Sequence, residues 1–100
     1  MSREFEERAR ELTKLVLAGP GDLDPEIRKA AAAGRPIDGA AGVYADKVRR
    51  HAYRIIDEDI EALHAEGYSD PQIHELTEAA AYGAALVRLH AALAALDGRE

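Results

Sequence analysis

Apolar residues recur along this chain at spacings of three and four, and nowhere in a sustained alternation of two. That pattern predicts helices throughout and no strand. Phe5, Ala9, Leu12 and Val16 mark one face of a first helix over about residues 3–17, with Ser2 as its cap and Gly19-Pro20-Gly21 as its stop. Asp24-Pro25 caps and starts a short helix over about 25–33, which Gly34 ends. Its apolar face is only Ile27, Ala30 and Ala31, so it should lie over something larger. Asp38 is placed to cap a third helix over about 39–55, with Tyr44, Val48, His51 and Ile55 on one stripe. Gly39 and Gly42 weaken its first turn. Asp57, Glu58 and Asp59 then open a short fourth helix, to about residue 66, that buries Ile60 and Leu63.

The fifth and longest helix, about 70–97, dominates the pattern. Ser69 and Gln72 form a capping box, and Tyr68 with Ile73 forms the matching hydrophobic staple. Pro71 fits the first turn, and Gly98 is placed as a left-handed stop. Ile73, Leu76, Ala80, Gly83, Val87 and Ala94 make one stripe. Tyr82, Leu86, Leu89, Leu93 and Leu96 make a second, a quarter turn or more away. A helix apolar on two sides needs two different surfaces packed on it. In a chain of 100 residues one of them is expected to be another subunit. Gly83 costs the helix roughly 1 kcal/mol relative to Ala, which points to close approach of a neighbouring helix or, alternatively, to room for a ligand.

Length and composition narrow the reading. One hundred residues suit a single all-α domain over 1–100. The net charge of −6 argues against sequence-independent nucleic-acid binding, and the Lys47/Arg49/Arg50 patch is surrounded by acids. The absence of cysteine removes disulfides, thiolate metal sites and thiol chemistry, and fits a cytoplasmic setting. The charged N-terminal stretch has no signal-peptide pattern. The longest uninterrupted apolar run, residues 79–87, is well short of the roughly 20 residues that span a bilayer, so no membrane partner is expected.

From about residue 43 to 97 the order of caps and turns carries a resemblance. His51-Ala-Tyr-Arg54 is followed by Ile56-Asp-Glu-Asp-Ile-Glu-Ala-Leu63, then Glu66-Gly-Tyr-Ser-Asp-Pro-Gln-Ile73 and the alanine-rich helix from Leu76 to Leu96. This resembles the carboxymuconolactone decarboxylase and alkylhydroperoxidase-D-like superfamily. The resemblance implies a small all-helical protein that forms homo-oligomers. The superfamily's peroxidases carry a Cys-x-x-Cys pair with a Glu and His relay, and this chain has no Cys to match it. Its decarboxylases act on a lactone acid without the cysteine pair.

Three functional readings follow. The first is a non-redox, oligomeric helical protein with a structural, regulatory or small-molecule-binding role, using no cofactor. The second is an acid–base enzyme on a small organic acid or lactone. His51 and His90 are its candidate bases and Glu61 or Glu75 the orienting carboxylates. Such a site would need Arg49, Arg50, Arg54 or Arg88 at its entrance to admit an anion. The third is a metal-binding protein using the Glu-x-x-His pair of Glu61 and His64, a spacing that places both on one helix face. Di-iron sites of that kind need a second such motif, and none is evident.

Overall fold

Helices that start at a polar side chain can satisfy their free N–H groups there, as two of the helices in this chain do. The computed structural model describes residues 3–98. It contains α1 (Arg3–Ala18), α2 (Pro25–Ala33), α3 (Gly39–Arg50), a single 3-10 turn (Ala52–Arg54), α4 (Asp57–Ala65) and α5 (Asp70–Asp97). No strand occurs among the described residues. The Asp24 side chain accepts from the N–H of Glu26 at 2.9 Å, and Gly34, at φ 72°, ends α2 in the left-handed region. The capping box of α5 is complete. The Gln72 N–H donates to Ser69 Oγ at 3.3 Å, and the Ser69 N–H donates to Gln72 Oε1 at 2.9 Å.

Three boundaries differ from the sequence reading. The predicted third helix stops at Arg50 rather than near residue 55. His51 takes φ −145°, and the chain turns through Arg54 N–H to His51 O at 2.8 Å. Lys47, Arg49 and Arg50 in the last turn of α3 favour a C-terminus there through the helix dipole. His51 therefore leaves the Tyr44/Val48 stripe and is exposed. Asp38 makes no side-chain cap bond. That role passes to Glu66, distant in sequence, whose carboxylate accepts from the N–H of Ala40 at 2.9 Å. Gly98 is right-handed, at φ −71°, and so does not form the expected left-handed stop. The Ser2 cap lies outside the described residues.

The N-terminal half of α5 is the axis of the core. Ile73, Leu76, Ala79, Ala80, Gly83 and Ala84 are its buried residues. Of these, Ile73, Leu76, Ala79 and Ala80 meet Leu23, Ala31, Ala41, Tyr44, Ala45 and Leu63 in one cluster. Mostly small side chains let α2 and α3 sit close to α5, and a Cβ at Gly83 would run into the backbone carbonyl of Ala32. The packing reason expected for Gly83 is thus the α2–α5 contact. Tyr44 joins α3 to α5 through a 2.8 Å hydrogen bond to Thr77, whose hydroxyl donates to Ile73 O at 2.7 Å.

By contrast, α1 contributes no buried residue. It runs antiparallel to α5: Asp22 lies at Glu75, Thr13 at Tyr82, and Phe5 beside Leu86 and Leu89. Together these two helices extend past α2 and α3 as an arm. The Cα radius of gyration is 15.0 Å, against about 13 Å for a compact chain of this length.

Candidate functional site

The candidate acid–base residues do not converge. His51 is exposed just after α3, edge-on to the Tyr53 ring at 5.8 Å. His90 is on the C-terminal part of α5 and lines a shallow recess of about 250 Å³ with Leu17, Lys29, Tyr82 and Gly83. His51 is not among the residues lining that recess. Glu61 is exposed on α4. His64 Nε2 meets Asp70 Oδ1 at 2.6 Å, tying the end of α4 to the start of α5. His74 pairs with Glu78 one turn along α5 at 2.6 Å. Among the described residues, no three histidine, aspartate or glutamate side chains gather as a metal site would need.

Glu75 is engaged elsewhere. Its carboxylate accepts from the N–H of Asp22 at 2.9 and 3.0 Å and from that of Leu23 at 2.7 Å. Gln72 adds a bond from its amide to Asp22 O at 3.2 Å. These latch the α1–α2 connection onto α5, so that Leu23 enters the core at 2% exposure. A charge-assisted carboxylate of this kind is a backbone anchor.

The arginines are likewise occupied by helix ends. Arg28, only 3% exposed, donates to Val16 O at 3.4 Å and Gly19 O at 2.8 Å, where α1 runs out of internal donors. Arg49 donates to Ala32 O at 2.6 Å and so caps the end of α2. Arg88 reaches Arg49 O at 3.3 Å across the α3–α5 contact. Arg50 pairs with Asp46 at 3.1 Å. Sequence reasoning did not find the Arg28 role, because helical spacing alone places that residue beside a light apolar face. At α4, Lys47 Nζ sits 2.7 Å from Asp59 Oδ1, and the N–H of Ile56 donates to Asp59 Oδ2 at 2.9 Å. The lysine bond first, and the backbone bond second, hold the Asp59 carboxyl below its ordinary value of 3.8.

What the fold leaves open is apolar. Beyond Ala84, no α5 residue is buried: Val87 is 59% exposed and Leu96 61%, while Leu86 and Leu93 are partly covered. Phe5, Leu12 and Leu15 of α1 are also exposed. Between the two helices runs a groove of about 410 Å³ lined by Phe5, Leu12, Tyr82, Leu86 and Leu89. Among the described residues, Arg8 is the one charged residue along it. Tyr82, which lines the groove, is tied to α1 by a 2.7 Å hydrogen bond to Thr13, whose hydroxyl also donates to Ala9 O at 2.8 Å. The accessible surface totals 6893 Å², about 1,300 Å² more than a compact monomer of 10.8 kDa exposes. Helix α5 also has the length and composition to cross a bilayer, although its N-terminal half is core in this fold.

Comparison with known protein families, curated proteins and solved structures returns no match.

Proposed function

We propose that this chain is a self-associating helical module, acting by assembly in a structural or regulatory role rather than by redox chemistry. The observation that carries this reading is the uncovered apolar face shared by α1 and the second half of α5. An apolar patch of this extent on a small protein marks an interaction surface. The resemblance of residues 43–97 to a superfamily of oligomeric helical proteins points the same way. A lack of cysteine is consistent with a member type that has no thiol function.

Assembly is favoured over an acid–base enzyme because the groups such an enzyme needs are apart or engaged. His51 and His90 do not share a recess, Glu75 is a loop anchor, and Arg49 caps a helix. The test is native mass spectrometry of the purified protein at micromolar concentration, paired with light scattering. A discrete oligomer with no retained organic mass is the expected result. A monomer in both measurements would remove the proposal.

A further inference from the structure

The groove has a matching knob on the same molecule. Leu86, Leu89, Leu93 and Leu96 alternate steps of three and four, the heptad spacing of a helix seam. The first two line the groove, and the last two project beyond it on a stretch of α5 with no buried residue. A helix cannot fold its own end back into a groove that it helps to form. A second copy, related by a two-fold axis, can fill each groove with the other copy's projecting leucines.

We propose that two copies of this chain pair through antiparallel α5 helices. Leu93 and Leu96 of the partner subunit would then occupy the groove between α1 and α5, and the two arms would form a four-helix bundle. This rests on the self-association proposed above and adds its geometry. In an antiparallel seam the two heptad positions face each other, so Leu86 lies opposite Leu96 of the partner subunit, and Leu89 opposite Leu93 of the partner subunit. The two-fold axis then passes level with residue 91, and the two copies of Ala92, one residue from it, lie about 3 Å apart along the helix axis.

Two observations support a second copy as the occupant. The first is area. The surplus surface of about 1,300 Å² exceeds the roughly 800 Å² that each partner contributes to a standard interface, and suits a permanent dimer. The second is charge. In this register, Asp97 of the partner subunit arrives level with residue 85, about one residue of rise from Leu86. Arg8 lines the groove at that level, and neither Arg8 nor Asp97 has a salt bridge within its own chain among the described residues. The partial negative charge at the partner's α5 C-terminus adds to the attraction.

Because the chain has no cysteine, single cysteines report geometry without background. Ala92 and Leu96 are exposed, so Ala92→Cys and Leu96→Cys leave the core intact. Under mild oxidation, Ala92→Cys should link to itself. Leu96→Cys should not, since its two copies lie about 15 Å apart along the axis, but it should link to a Leu86→Cys chain mixed with it. Arg8→Asp and Asp97→Arg should each weaken the dimer about three- to ten-fold, and the double swap should recover most of that loss. A dimer in which Leu96→Cys self-links and Ala92→Cys does not would be parallel. That outcome overturns this geometry while self-association stands. A wild-type monomer overturns both. A dimer of unchanged affinity in the swaps and without any of these links would be paired through another face, and overturns both the α5 pairing and the groove assignment while self-association stands.

Discussion

At Gly83 two opposing effects can be weighed. Alanine would gain roughly 1 kcal/mol of helix propensity. Its methyl would, however, meet backbone atoms of Ala32, which cannot rotate away as a side-chain tip can. Overpacking of this kind costs about 1–3 kcal/mol, so the clash should win. Gly83→Ala is expected to lower the urea midpoint, and a higher midpoint would mean that α2 shifts freely along α5. Asp59 gives a pH dependence with a definite sign. Its folded pKa lies below 3.8, so the Lys47 and Ile56 bonds add stability above that value. The contribution fades as pH falls through the folded pKa. Asp59→Asn should therefore destabilise the protein at pH 6 and change little at strongly acid pH, measured by urea unfolding at both. Equal losses at the two pH values would assign the effect to packing instead.

At the scale of elements, α1 and α5 differ in how they are held. Half of α5 is core, whereas α1 depends on Arg28, the Glu75 latch, the Thr13–Tyr82 bond and partly covered Val16 and Leu17. Replacing Arg28 by Met keeps much of the side-chain volume and removes the bonds to Val16 O and Gly19 O. Hydrogen exchange should then accelerate throughout residues 3–18, with protection in the first half of α5 retained. Uniform acceleration across all helices would instead show that α1 and the core unfold together. The amphipathic pattern of α1 was legible in the sequence, yet its Phe5 and Leu12 are exposed. Periodicity identifies which face is apolar but not what covers it. The end of α3 departs from the apolar periodicity for a related reason. The Val48–Ile55 spacing fits a helix, but the basic last turn and the 3-10 turn after His51 break it.

For the molecule as a whole, the proposed pairing through the exposed arm predicts a stability that depends on concentration. If folding and pairing are linked, mass action raises the melting temperature as protein concentration rises. Scans at about 2 and 200 μM should differ by several degrees for the wild type, using the usual relation between stability and Tm for a chain of this size. Leu89→Glu puts a charge into the proposed seam and should abolish that difference while leaving the helical circular dichroism unchanged. Coincident wild-type scans would show that the arm adds nothing to stability through pairing.

The sequence alone determined the local features. Caps at Asp24 and Ser69, the stop at Gly34, the close approach at Gly83 and the two-sided long helix all follow from steric and hydrogen-bonding rules within a few residues. It also excluded thiol chemistry, because that needs an atom type the chain does not contain. Only the tertiary structure decided which polar residues are structural. Glu75, Glu66, Arg28 and Arg49 each satisfy backbone groups 9 to 53 residues away in sequence. No periodicity encodes such partners, since burial and the direction of a free carbonyl or N–H exist only once helices have packed. The same holds for the second stripe of α5. Its leucines were readable as apolar, but that its own chain covers Leu86 and Leu93 only in part and leaves Leu89 and Leu96 exposed follows from how α1 and α2 pack.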